Sequence, residues 1–275
     1  MAAKLGVLAG GGPLPRQVVD QCIADRRPVF VVAFEGFTEP STCKDVPHVW
    51  LRLGQVGALL KALKAAKCVE LVMIGPIPRP SISTLRLDFR AIGLLGRLGK
   101  ATNQGDNALL SMLVAELESE GFKVVGAHEV IDGVTSQAGV LGKVKPDETA
   151  ERDISIGCRA AKQLGLADIG QAVVVQQGIV LGVEAIEGTD ALIERCGRLQ
   201  QPGPGGVLVK LKKPHQDERA DLPTIGPRTI ERIAAAGLRG VAVEAGASLM
   251  VDRAAVIAEA DRHGLFVIGI EITRD

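Results

Sequence analysis

The sequence predicts an α/β protein of two domains, the first of them Rossmann-like. Short apolar runs alternate with amphipathic stretches from end to end, the pattern of strands alternating with helices in largely parallel sheets. The first run, Leu5-Gly6-Val7-Leu8-Ala9, breaks at Gly10-Gly11-Gly12 and a helical pattern follows, which is the opening of a nucleotide-binding unit. A glycine-punctuated stretch without periodicity, Ile131 to Pro146, separates two halves. The domains expected are therefore 1–132 and 147–275, joined by 133–146.

In chain order, the helix after the glycines starts near Arg16 and carries Val18, Val19 and Cys22 on one side. Pro28 to Phe34, His48 to Leu53 and Val69 to Ile74 read as strands, with a helix over Val56 to Ala66. The last of these strands stops at Gly75-Pro76-Ile77-Pro78. Ser81 to Gly121 is mostly helical, and Phe122 to Ala127 returns to strand. In the second half a helix covers Asp147 to Leu164. Val173 to Leu181 reads as a hairpin or a strand with a turn. A helix at Thr189 to Cys196 and a strand at Val207 to Lys212 follow. Pro227 to Ala235 is a helix with proline in its first turn. Gly240 to Glu244, Asp252 to His263 and Leu265 to Glu271 are strand, helix and strand.

Composition limits the function. The 275 residues are 47% hydrophobic, enough for a real core, and 32 basic residues balance 32 acidic ones. A zero net charge with only 3% aromatics argues against nucleic acid as a partner. Five scattered cysteines, with no CxxC, point to a reduced, cytoplasmic protein without a zinc site. The amino terminus lacks the apolar core of a signal peptide, and no apolar run reaches the roughly 18 residues of a membrane span.

Two places carry chemistry. At Gly10-Gly11-Gly12-Pro13-Leu14-Pro15, three glycines exceed what a turn requires, and the following helix start suits a phosphate or a ribose. Proline stands where a dinucleotide fingerprint has its third glycine, so that fingerprint is broken. Glu35, after the second strand, stands where a ribose-binding acid belongs. The plain alternative is a tight strand-to-helix turn.

The second place is Lys210 to Gly226. Lys210, Lys212 and Lys213 leave a strand, and Asp217 and Asp221 follow in a loop bounded by Pro214 and Pro223. Lysines suit phosphate oxygens and carboxylates suit a hard cation. Pro223 disfavours a helix there, so the aspartates are not a helix-face pair. Glu184, Glu187, Thr189, Asp190 and Glu244 follow other strands of the same half, and ligands in open α/β sheets bind at carboxyl ends. Thr189 and Asp190 serve equally as helix caps. Four histidines, including His128 and His215, show no metal-ligand spacing. Leu85 to Lys100 mixes apolar residues with Arg86, Arg90, Arg97 and Lys100. It suits an anionic membrane surface, an acyl-chain groove or ordinary packing on the core.

With these segments quoted, the chain resembles the UDP-2,3-diacylglucosamine pyrophosphatases of lipid A biosynthesis that lack metallophosphoesterase motifs. The matching residues are Leu5 to Pro15, Gly75-Pro76 and Gly105-Asp106-Asn107-Ala108-Leu109-Leu110. They continue through Asp168 to Val175, Glu184 to Asp190, Lys213 to Gly226 and Glu244-Ala245-Gly246, in order over nearly the whole chain. Position 107 is more often acidic and 215 more often small in that family, which demotes His215.

The resemblance implies a two-domain enzyme with its substrate between the domains. It implies magnesium-dependent hydrolysis of UDP-2,3-diacylglucosamine to UMP and 2,3-diacylglucosamine 1-phosphate. It also implies work in the cytoplasm, peripherally on the inner-membrane surface of a Gram-negative bacterium. Residues and resemblance together assign Mg²⁺ to Asp221 and Asp217, and charge neutralisation on the pyrophosphate to Lys210 and Lys213. Substrate contacts are expected from Gly11, Gly12, Pro13, Leu14, Gly75, Pro76, Glu187, Thr189, Asp190, Gln216 and Glu244. A nicotinamide-dependent oxidoreductase built on residues 5–35 and a non-catalytic nucleotide-sugar or lipid binder are the competing readings.

Overall fold

The computed structural model describes residues 2–77, 87–98, 106–214 and 216–272. His215, Pro78, Leu85, Arg86, Lys100 and Gly105, which entered the sequence reading, lie outside them. The chain divides into two compact units. One comprises Met1–Asp132 with Asp217–Asp221, the other Gly133–Gln216 with Leu222–Asp275.

In the first unit, the elements are β1 (Leu5–Ala9), α1 (Leu14–Ala24), β2 (Val29–Phe34), β3 (His48–Leu51), α2 (Val56–Ala65) and β4 (Glu70–Ile74). They continue with α3 (Phe89–Leu98), α4 (Asp106–Ser119) and β5 (Lys123–Val125). The five strands form one sheet in the order β3-β2-β1-β4-β5, every pair parallel. β1 and β4 are almost wholly buried, which explains why their sequences are apolar runs without alternation. On one face Leu8, Val32, Met73 and Val124 pack with Leu59, Leu60 and Leu63 of α2 and Val114 and Leu117 of α4. Strand order reverses direction between β1 and β4, so the crevice beyond their carboxyl ends is the position where such sheets bind ligands.

The second unit contains β6 (Gly139–Val140), α5 (Glu148–Leu166), β7 (Ala172–Gln176), β8 (Ile179–Val183), α6 (Gly188–Gly197) and β9 (Val207–Lys210). Then come β10 (Thr224–Ile225), α7 (Pro227–Ala235), β11 (Gly240–Glu244), β12 (Leu249–Met250), α8 (Arg253–Arg262) and β13 (Phe266–Ile270). Six strands form one sheet, β6-β13-β11-β9-β7-β8, while β10 and β12 pair separately. Alternation divides the core. Val173, Val175, Val207 and Val209 face α5, whereas Val174, Leu208, Val241 and Val243 face α6, α7 and α8.

Two features depart from the sequence reading. The second sheet is mixed, because β7 runs antiparallel to β9 and β6 antiparallel to β13. The segment 133–146, read as a connection, belongs to the second unit and supplies its edge strand β6. The expected hairpin is present, with Gln177 at φ 50° and Gly178 at φ 83°, the left-handed pair of a tight two-residue turn. Asp153, fully buried on α5, accepts from both turn amides, at 3.0 Å from Gln177 and 2.7 Å from Gly178. The five cysteines are unpaired, and burial pushes the Cys158 thiol up to about 11.

Candidate active site

In the first unit, the glycine turn and the end of β4 lie back to back. Gly10 N–H donates to the Ile74 carbonyl at 2.8 Å and Gly11 N–H to that of Pro76 at 2.9 Å. A Cβ on Gly10 would lie 3.0 Å from the Pro76 oxygen, and one on Gly75 would lie 3.0 Å from the Gly10 carbonyl carbon. These glycines are therefore needed for close backbone approach. Their pairing also removes two of the amides a phosphate would use. Pro13 and Pro15 lack N–H groups altogether, so the start of α1 offers only Leu14 and Arg16 amides in its first turn. Glu35, the expected ribose acid, is ion-paired with Arg52 at 2.9 Å. The dinucleotide cradle is thus poorly equipped, while the crevice beside Gly12, Leu14, Gly75 and Pro76 remains in place.

Asp217–Asp221 packs with this same unit. The amides of Ala220 and Asp221 both donate to the Asp217 carbonyl at 3.0 Å, so the segment is one closed turn that is not continued as a helix. Ala220 packs against the apolar cluster of α2 and α4. Arg219 reaches Glu118 of α4 at 2.5 Å and grips Asp217 on both oxygens, Nε to Oδ1 at 2.9 Å and Nη2 to Oδ2 at 2.8 Å. The Arg219 backbone amide adds a third bond to Oδ1 at 3.0 Å. The guanidinium holds the Asp217 carboxyl below the usual range, against the opposing effect of burial.

These bonds bear on the implied magnesium. On Asp217, the bidentate arginine fork and one amide already take three of the roughly four lone-pair sites of the carboxylate, which leaves it little room for a cation. Asp221, a hard-oxygen donor, is partly buried at the end of the same turn. Among the described residues no group of three or more His, Cys, Asp and Glu side chains is arranged around a common point. Magnesium is commonly held by one or two carboxylates plus substrate phosphates, so a single aspartate matches that donor set.

In the second unit, β7 opposes β9, but β8 opposes β7 in turn and so runs with β9, β11 and β13. Glu184, Lys210 and Glu244 accordingly share one sheet edge, as the carboxyl-end argument required, although the sheet is not parallel throughout. All three are buried. Glu184 accepts from Thr189 Oγ1 at 2.5 Å and from the Gln171 amide at 2.9 Å. Glu244 accepts from the Lys212 amide at 3.0 Å. Lys210 Nζ donates to the Thr224 carbonyl at 3.0 Å. Lys213 is ion-paired with Asp168 at 2.7 Å, and Gln216, also buried, closes a turn by accepting from the Lys213 amide at 3.0 Å.

Two of the expected contacts are engaged in ion pairs. Asp190 bridges Arg228 and Arg232 of α7 at 2.9 and 3.1 Å. Glu187 pairs with Arg195 of α6 at 2.8 Å, and its own backbone amide, then Arg195, hold its carboxyl below the usual range. Both are built as helix-end ion pairs. The sequence reading missed Asp168, Arg219 and Glu118. Nothing local in the sequence marks Glu118 or Asp168 as the partner of a residue 101 or 45 positions away.

Residues 4–134 match the family model of the LpxI N-terminal domain, and residues 137–268 that of the LpxI C-terminal domain. The UDP-2,3-diacylglucosamine pyrophosphatase LpxI of Caulobacter vibrioides is 44% identical over 274 residues, covering 98% of each chain. Among solved structures, the N5-carboxyaminoimidazole synthase of Aspergillus clavatus aligns with 72% of this chain at 15% identity and a TM-score of 0.27. That alignment spans 44% of the synthase and, at such a score, carries no argument about ligand or fold.

Proposed function

Because the chain belongs to the LpxI family, we infer that it is a hydrolase that cleaves the pyrophosphate of UDP-2,3-diacylglucosamine, giving UMP and 2,3-diacylglucosamine 1-phosphate in lipid A biosynthesis. The observation that carries this is the 44% identity spanning 98% of both chains. The chemistry of the residues agrees with it. Pyrophosphate cleavage needs little covalent work from a protein. It needs charge neutralised as it builds on the departing phosphate, and a water held in line.

Asp221 is the residue we assign to magnesium, with the substrate's phosphate oxygens completing its shell. When bound, the ion supplies Lewis-acid stabilisation of those oxygens. Asp217 then acts through Arg219, fixing the turn that ends in Asp221. Lys210 and Lys213 supply positive charge toward the pyrophosphate. Lys213 reaches that role by exchanging its Asp168 partner for a phosphate oxygen, a carboxylate-for-phosphate swap that keeps its charge paired. Gly12, Leu14, Gly75 and Pro76 form the apolar and backbone surface at the β1–β4 crevice that the nucleotide or sugar would contact.

No helix among the described residues is long and apolar enough to cross a membrane. A diacylated substrate nevertheless has to be reached in a lipid surface. We assign that contact to α3, where Phe89 is 95% and Ile92 54% exposed. We further propose that it acts peripherally on the cytoplasmic face of the inner membrane.

The deciding experiment follows UMP release from UDP-2,3-diacylglucosamine with purified protein, with and without EDTA. Turnover that EDTA abolishes and magnesium restores supports the whole reading. No UMP under either condition would remove the hydrolase, and full activity in EDTA would remove the magnesium alone.

A further inference from the structure

His128 stands directly after β5, at the carboxyl edge of the first sheet. Its backbone is fixed by a short 3-10 turn over Ala127–Glu129. The Gly126 amide donates to Glu129 Oε1 at 2.7 Å, and the Glu129 amide returns to the Gly126 carbonyl at 3.0 Å. That turn folds the imidazole back over Gly126. A Cβ at position 126 would lie 2.6 Å from His128 Nδ1, so the ring fills the space that only glycine leaves open. The same missing Cβ lies 3.3 Å from the carbonyl oxygen of Glu218. The ring and the backbone of the 217–221 turn thus flank one point in the first unit.

The polar face of the ring is unusual. Nδ1 is shielded from solvent and has no hydrogen-bond partner among the described residues. Buried ring nitrogens are ordinarily paired, and an exception calls for an explanation. Packing alone would not require a histidine here, since an apolar ring would fill the same space without leaving a polar atom unpaired.

We infer that His128 is a positioning residue for Asp221: it seats the 217–221 turn on the first unit, and its Nδ1 engages a polar group of that turn when substrate is bound. The other anchors of the turn leave it this task. Arg219 fixes one flank to Glu118, and Ala220 is held by the apolar cluster. The Glu218 carbonyl lies near Gly126, on which the His128 ring also folds. The inference rests on the hydrolase reading above for the role of Asp221, but the seating of the turn can be read without activity.

The test uses the full chain with His128→Ala, His128→Phe and His128→Asn. Asparagine places an amide near the position of Nδ1, whereas phenylalanine keeps the bulk and loses the polarity. For Ala and Phe the expected result is a kcat for UMP release reduced about tenfold or more at a KM within about threefold, with Asn restoring most of it. Amide hydrogen exchange over 217–221 should quicken in His128→Ala while exchange in β1 and β4 stays unchanged. Wild-type kcat in His128→Phe overturns the inference, as does unchanged exchange over 217–221. If His128→Ala is too unstable to purify, the Phe and Asn pair decides by the same kcat comparison. If wild-type protein releases no UMP, the hydrolase reading fails by itself, and the exchange comparison still judges the seating of the turn.

Discussion

Arg219 holds Asp217 by both carboxylate oxygens, at 2.9 and 2.8 Å, and on this contact we propose different jobs for the two aspartates of the loop. A carboxylate in a bidentate arginine fork is a poor partner for a second cation. We therefore expect Asp221→Asn to lose about a hundredfold or more in kcat and to need more magnesium for half-maximal rate. Asp217→Asn should cost about tenfold through a loosened turn, with the magnesium midpoint unchanged. Magnesium titration of UMP release in the two variants checks this. Equal shifts of the midpoint in both would return Asp217 to the metal.

The same pair makes a prediction about acid. Arg219 depresses the Asp217 pKa in the folded chain. A depressed carboxylate contributes stability that is complete above its unfolded value, near 3.9, and is lost as pH falls through the lower folded value. Thermal melts of wild type and Asp217→Asn should differ at pH 6 and converge as pH drops below about 4. A difference that stays constant down to pH 2 would show that the Arg219 contact is not what the substitution removes.

Much of this architecture was legible because apolar periodicity reports burial, and burial is what the sheets impose. α7 and β11 start and stop at the residues the sequence marks, with Pro227 at the helix entry and Gly240 at the strand entry. Short pairings escaped notice. β10 and β12 are two residues each, too short to show a period. The direction of β7 is likewise set by the hairpin rather than by its composition, so a parallel second sheet was the natural expectation. At the site, residue types were readable and pairings were not. Lys213 and Asp217 stand out in sequence, but their partners Asp168 and Arg219 depend on where the backbone turns. Asp168 takes a left-handed conformation, φ 52°, as it reaches Lys213.

Asp153 tests how the second unit keeps β8 in register. It is fully buried, accepts from the two turn amides of the β7–β8 hairpin, and lies 3.5 Å from Arg239. Replacing it with alanine strands two amides, losses worth about 1–3 kcal/mol for each buried group left unsatisfied, while Arg239 keeps its closer partner Asp147 at 2.9 Å. Urea denaturation of Asp153→Ala should report a loss of about 2–4 kcal/mol with an unchanged slope. Asp153→Asn, which keeps an acceptor for one amide, should fall between. An alanine variant as stable as wild type would mean the turn holds itself.

The last prediction concerns how the protein meets its lipid. The sequence suggested a basic amphipathic helix, but Arg90 is paired with Glu116 at 3.0 Å and with Glu120, so its charge is answered within the first unit. Among the described side chains of α3, Phe89 and Ile92 are large, apolar and exposed, and nothing lies within 4 Å of the Cβ positions of Gly93 and Gly96. Insertion of such a stripe should be governed by area and only weakly by salt. Burying one large apolar side chain is worth about 1.5–3 kcal/mol, so Phe89→Ser with Ile92→Ser should weaken vesicle binding at least about tenfold. Flotation with vesicles containing anionic phospholipid, at low and high salt, measures it. Retained binding in the double variant would move the lipid contact off α3, and binding that vanishes in high salt would restore the electrostatic reading over the apolar one.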